Sequence, residues 1–261
     1  MQLSIIKIGG NIIDDPTKLA SFLATFTTMN GPKILVHGGG KIATDIGRQL
    51  GIEPKYVDGR RITDGATLHL VTMVYGGLIN KQVTAQLQAL GCNAIGLTGA
   101  DASIIPAQKR PVKEIDFGFV GDVDSKDINT SVLKIMLDAG LTPVIAPLTH
   151  DRNGQILNTN ADTIAQEVAK ALSVLFEVQL IYCFEKKGVL ADPADEGSVI
   201  PKITAEEFDR LKAQGIVSGG MVPKLQNALA AVSSGVKKVV IGDAAELADI
   251  MLGKAGTSIV Q

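Results

Sequence analysis

Tryptophan is absent from the 261 residues, aromatic side chains make up 4%, and there are only two cysteines. So few aromatics supply little for exposed bases to stack on, which argues against a platform for single-stranded nucleic acid. Cys92 and Cys183 lie far apart, with neither a Cys-x-x-Cys pair nor metal-ligand spacing. They read as small buried apolar side chains in a reducing compartment. An excess of one charge is missing too: 25 Lys and Arg stand against 27 Asp and Glu, without a basic run. That excludes a nucleic-acid or anionic-membrane surface. The opening MQLSIIKIGG lacks the basic segment and apolar length of a signal peptide. The most apolar later window, residues 171–184, is broken by Glu177 and Gln179 and falls short of the roughly 20 residues a membrane span needs. A soluble, cytoplasmic chain is the expectation.

Hydrophobic residues make up 46% of the chain, enough for a substantial core. Apolar runs of strand length alternate with amphipathic runs of helix length, the pattern of an α/β fold with a mainly parallel sheet covered by helices. The expected strands are LSIIKIG, KILVHG, NAIGLTG, TPVIAPL, VQLIYCF and KKVVIGD. In such sheets ligands gather at the carboxyl ends of strands. Residues 125–140 predict a helix with a Ser or Asp start and a Gly140 stop. In residues 158–174, Ile164, Val168 and Leu172 recur every fourth position, giving one apolar stripe. Residues 191–204, rich in Pro, Asp and Gly, predict a surface loop or hairpin.

Lys7 is the first anomaly, because a lysine inside the apolar run IIKIGGN costs several kcal/mol unless its charge is paired or used. Two glycines follow it, Gly9 and Gly10. A second cluster, Gly38, Gly39 and Gly40, joins a strand to a helix, where backbone N–H groups and the helix N-terminus can cradle an anion. No Walker A motif is present. Gly38, Gly40 and Ala43, with Asp58 further on, also satisfy a dinucleotide-binding fingerprint, but that reading leaves Lys7 unexplained and gives Lys224 no role. Asn158, Asn160 and Asp162 occupy alternate positions entering a helix. There two amides can hold a carboxylate and an aspartate can pair with lysines. Capping the helix accounts for one of the three. His37, His69 and His150 sit in no triad-like setting.

KIGGN, VHGGGK, DGRRIT, DFGFVGDV, LNTNADT and SGGMVPK follow in order across nearly the whole chain, and together they resemble the N-acetylglutamate kinase family of the amino acid kinase (carbamate kinase-like) superfamily. The resemblance implies a three-layer αβα sandwich of two lobes: residues 1–172 for the acylglutamate and dimerisation, residues 173–261 for ATP. It implies a contact from Lys7 to the transferred phosphoryl group and from Lys224 to the nucleotide's phosphates, with Asp162 holding both lysines in place. Gly9, Gly10, Gly39 and Gly40 are implied as N–H donors around the phosphoryl group and substrate. Arg61 and Asn158, with Asn160 nearby, are implied for the substrate. Glu185, Gly188, Val189, Leu190, Ile216, Val217 and Ser218 are implied to border the ATP.

Relatives read Leu-Ser/Thr-Asp-Val-x-Gly where this chain reads CFEKKG. Glu185 thus replaces an aspartate, and Lys186 and Lys187 follow. Magnesium is expected to arrive with ATP, without a dedicated protein cage. Arginine-inhibited hexamers of the family carry a helix before the first strand, so a homodimer without strong arginine feedback is expected. Two alternatives stand beside the kinase: a non-catalytic amino-acid sensor of the same fold, and an NAD-binding oxidoreductase.

Overall fold

The computed structural model describes residues 1–57, 60–192 and 194–261. Eight strands form the central sheet: β1 (Gln2–Ile8), β2 (Lys33–His37), β3 (Ala94–Leu97), β4 (Thr142–Ile145), β5 (Glu177–Phe184), β6 (Lys202–Ile203), β7 (Lys238–Asp243) and β8 (Thr257–Ile259). Their order is β6-β8-β7-β5-β1-β2-β4-β3. Every neighbouring pair is parallel except β7 with β8. Each of the six strands expected from the sequence lies in this sheet.

Helices cover both faces: α1 (Pro16–Thr28), α2 (Gly40–Gln49), α3 (Gly65–Val71), α4 (Asn80–Ala89), α5 (Thr130–Asp138), α6 (Ala161–Leu172), α7 (Ala205–Ala213) and α8 (Met221–Ser233). Between α3 and α4 the chain stays helical through a wider π segment, Thr72–Ile79. Successive strand residues point to opposite faces. Leu3 and Ile5 of β1 therefore pack with Ile164, Val168 and Leu172 of α6 and with Leu225 and Val232 of α8. Ile6 and Ile8 pack with Phe22 and Phe26 of α1 and with Val74 and Val83. All four β1 side chains are fully buried, and each contributes about 1.5–3 kcal/mol. Lys7 falls by parity on the Leu3 and Ile5 face, under the start of α6.

Two expectations shift in detail. Residues 125–140 divide into a 3-10 turn, Ser125–Asp127, and α5. Asp124 caps the turn, while Ile128 is extended and buried, so α5 takes its cap from Asn129, whose side chain accepts from Val132 N. The run TPVIAPL stops as a sheet strand at Ile145. Pro147 has no N–H for a ladder, and Leu148–His150 instead pairs antiparallel with Ile156–Asn158. This hairpin, and a second of Lys55–Val57 with Arg60–Ile62, stand over the carboxyl ends of the strands and carry side chains to the site. No helix among the described residues is long and apolar enough to cross a membrane.

Candidate active site

A cavity of about 340 Å³ opens where β1, β2, β5 and β7 end. Its rim is the loop Gly38–Gly40, followed by the N-terminus of α2. Gly39 has φ +146°, and a Cβ there would lie 2.3 Å from Ile79 Cδ1 and 3.3 Å from the Tyr75 ring. Only glycine fits, so the loop backbone lies directly on the π segment, with its N–H groups available to a ligand. Gly38 N donates to Ile8 O at 3.2 Å, tying this loop to the Gly9–Gly10 loop after β1.

His37 supports the loop from below. Burial pushes its pKa down to about 4, so the ring is neutral, with Nδ1 donating to Gly38 O at 2.8 Å and Nε2 accepting from Asn80 Nδ2 at 3.1 Å. A ring already bonded at both nitrogens and closed to solvent has no proton to exchange with a substrate. The buried thiol of Cys183 is likewise pushed up to about 12 and is inert.

Lys7 Nζ meets Asp162 Oδ1 at 2.7 Å, with side chains 10% and 37% exposed. Asp162 sits in the first turn of α6, where the helix dipole favours a carboxylate. Asn160 caps the same helix, its side chain accepting from the N–H groups of Asp162 and Thr163. Tyr182 Oη donates to Asp162 O at 3.2 Å. Its phenol is held well above the ordinary pKa, by burial first and by the Asp162 carboxylate second, so it remains a donor. Arg61 is 8% exposed; its Nη2 donates to Gly40 O and Thr44 Oγ1, both at 2.9 Å, and its guanidinium lies 4.8 Å from the Tyr56 ring centroid. With one nitrogen fixed in this way, the rest of the fork is set for a carboxylate. Asn158 Nδ2 donates to Thr63 Oγ1 at 2.9 Å.

Among the described residues, the cavity wall carries Arg60, Arg61, Arg110 and Lys224 against the single carboxylate of Asp162, although the Arg110 guanidinium is already paired with Asp122 just outside the wall. Such a wall suits a ligand with several negative charges. No cluster of three or more His, Cys, Asp or Glu side chains that could hold a metal ion occurs among the described residues.

Residues 2–243 match the amino acid kinase family. Over 240 residues the chain is 58% identical to the acetylglutamate kinase of Phocaeicola vulgatus, covering 92% of this chain and 93% of that one. It is 56% identical over 248 residues to the acetylglutamate kinase of Bacteroides thetaiotaomicron, covering 95% and 96%.

This chain belongs to the amino acid kinase family.

The fold agrees: N-acetylglutamate synthase from Neisseria gonorrhoeae, solved with coenzyme A and N-acetyl-glutamate, superposes with a TM-score of 0.82 at 21% identity. That match covers 99% of this chain and 59% of the synthase, so this chain spans about three fifths of the synthase's length. For an amino acid kinase chain the dinucleotide reading falls away; its acidic residue, Asp58, lies outside the described residues.

The cavity brings together Gly39, Gly40, Arg61, Asn158, Asn160, Asp162 and Lys224, with Lys7 joined through Asp162 and Gly9 beside it. Gly10 opens the short helix Gly10–Ile13 behind them. Asp162 is bonded to Lys7, whereas the Lys224 ammonium stands 4.0 Å from the Phe184 ring centroid. Glu185, Gly188, Val189, Leu190, Ile216, Val217 and Ser218 are not on the cavity wall. Val189 and Val217 are each 2% exposed and belong to the core, and Gly188 is a glycine because a Cβ would lie 2.6 Å from Thr257 Oγ1. Glu185 and Ser218 are exposed. Arg110, Tyr56, Tyr75 and Phe184 line the cavity without any sequence signal that marks them. Arg110 is brought in by its backbone bond to Val120 O, within the DFGFVGDV segment.

Proposed function

We propose that this chain transfers the γ-phosphoryl group of ATP to the side-chain carboxylate of N-acetyl-L-glutamate or a closely related N-acylglutamate, a step of arginine biosynthesis. The observation that carries the reading is the paired Lys7 and Asp162 between two glycine loops, in a cavity whose other charges, among the described residues, are all positive. Relatives of matching length named acetylglutamate kinase supply the substrate class.

A glutamate side chain, with an unperturbed pKa near 4.3, is already ionised at neutral pH, so no general base is required. Its oxygen attacks the γ-phosphorus, the bond to the β,γ-bridging oxygen breaks, and an acyl phosphate and ADP result. The obstacle is repulsion between two anions. Lys7, the N–H groups of Gly9, Gly10, Gly39 and Gly40, and Lys224 oppose it with fixed positive charge, and Asp162 keeps the Lys7 ammonium in place. Arg61 with Asn158, and Asn160 beside them, grip the substrate.

The nucleotide is assigned to the segments 185–190 and 216–218, with residues 1–172 as the substrate half and 173–261 as the ATP half. Magnesium arriving with ATP would neutralise phosphate charge; since Asp162, the wall's carboxylate among the described residues, is ion-paired with Lys7, the ion would draw its ligands from the nucleotide and water. A cytoplasmic homodimer completes the reading. Two free, buried cysteines support the compartment, and exposed Met73, Leu78 and Leu90 on one helical run support the dimer.

Purified protein with ATP, magnesium and acetylglutamate should release ADP, whereas a sensor would bind without turnover. Lys7→Ala and Lys224→Ala should each lower the rate about 100 to 1,000-fold in folded protein; full activity in either would remove its role. A second substrate form is favoured by Arg60, which extends the positive wall beyond Arg61; Arg110 beside it already holds the Asp122 carboxylate, at 2.5 Å. Arg60 suits an acyl arm that ends in its own carboxylate, as succinyl does. The ratio of kcat/KM for succinylglutamate over acetylglutamate decides between the forms, and Arg60→Ala should lower that ratio if the arm is acidic.

A further inference from the structure

Among the described residues no carboxylate is ion-paired with Lys224; its ammonium lies 4.0 Å from the centroid of the Phe184 ring. The Lys7 ammonium, bonded to Asp162, lies 5.4 Å from the same centroid. Phe184 is the last residue of β5, and its ring stacks on that of Tyr182, two residues earlier on the same face, with centroids 6.1 Å apart and planes at 20°. Tyr182 is in turn fixed by its bond to Asp162 O. One aromatic pair therefore links the two lysines and the aspartate.

An aromatic face attracts an ammonium group through its quadrupole and carries no formal charge. That distinction matters here. Lysine is a point charge on a flexible four-carbon stem, and Lys224 is exposed, so without a seat it wanders in solvent. A carboxylate would hold it equally well, but would repel the polyphosphate the cavity has to admit. We propose that Phe184 is a positioning residue: its ring seats the Lys224 ammonium, beside that of Lys7, before the nucleotide's phosphates arrive. The geometry stands alone, while its kinetic consequence rests on the kinase reading above.

The test replaces Phe184 with phenylalanines bearing one, two and three ring fluorines, which drain the negative face while nearly preserving shape. Expected is a stepwise fall in kcat/KM for ATP at unchanged Tm, roughly two- to thirty-fold in all, the range between exposed and desolvated contacts of this kind. Phe184→Leu should lie at the bottom of the series, and Phe184→Tyr close to the parent. In nucleotide-free protein the ε-methylene protons of Lys224 should be shifted upfield by the ring, and Phe184→Leu should abolish the shift. A flat fluorine series in an active enzyme, or unshifted ε-methylene protons in the parent, overturns the seat. A parent that releases no ADP overturns the kinase reading instead, and the proton shift still decides the seat. Should Phe184→Leu fail to fold, the fluorinated series still supplies the slope.

Discussion

Replacing Asp162 by asparagine leaves the Lys7 ammonium, on a side chain only 10% exposed, without its 2.7 Å partner. Removing one member of a fully buried ion pair costs about 3–5 kcal/mol, because the remaining charge is stranded. The Asp162 side chain is 37% exposed although Oδ1, the oxygen that meets Lys7, is itself buried, so partial screening lowers the expected cost to about 2 kcal/mol. The reverse change, Lys7→Met, strands a carboxylate with one buried oxygen, Oδ1, on a side chain that otherwise reaches water, at a helix N-terminus that favours it by about 0.3–1 kcal/mol. Its cost should stay below about 1 kcal/mol. Urea unfolding of both single variants and the double variant measures the asymmetry and the coupling. The double variant should recover part of the loss, since no buried charge is then left alone. Equal costs for the two single changes, or an Asp162→Asn variant within about 0.5 kcal/mol of the parent, would refute the assignment of burial to Lys7 and solvent to Asp162.

His37 has a folded pKa of about 4 against an ordinary 6.5, so the unfolded chain binds more protons between those values and stability falls as pH drops from 6.5 to 4. The loss over that window is about 3 kcal/mol, and urea midpoints should show His37→Gln lacking this component. Gly39→Ala places a Cβ against Ile79 at a backbone angle foreign to alanine, and should cost about 1–3 kcal/mol by urea unfolding, with weaker nucleotide and acylglutamate binding by calorimetry. Arg61→Lys keeps the charge but loses the fork, so steady-state kinetics should show a raised KM for the acylglutamate with a smaller change in KM for ATP.

The sheet was legible because a parallel strand buried on both faces writes a nearly continuous apolar run, as in residues 34–36 or 180–184. Three-residue strands such as Arg60–Ile62 write nothing so distinct, and the hairpins over the site were found only in space. Lys7 was legible for the opposite reason, as a charge inside an apolar run, and Asp162 through its alternation with Asn158 and Asn160 at a helix start. Asn160 combines a cap with a place on the cavity wall, which explains why alternation alone did not separate its roles. Arg110, Tyr75 and Phe184 left no trace because their position at the site comes from tertiary approach. In the segments proposed for the nucleotide the motif pointed to residues rather than atoms. Val189 and Val217 send their side chains into the core, and their N–H groups are spent on Thr257 Oγ1 and Leu211 O.

The π segment Thr72–Ile79 forms the surface on which Gly39 rests and leads directly into Asn80, the residue bonded to His37 and to Val144 O. A π turn carries one residue more than the α pitch accommodates. Removing that residue would rotate everything after it by about 100°, swinging Asn80 away from the histidine while the helix itself stayed intact. The extra residue thus works as a phase setting. Length changes that the surface loops would absorb are, in this helix, mistimings of the glycine loop, and the spacing from Asp64 to Asn80 is as much a part of the candidate site as any side chain that lines it.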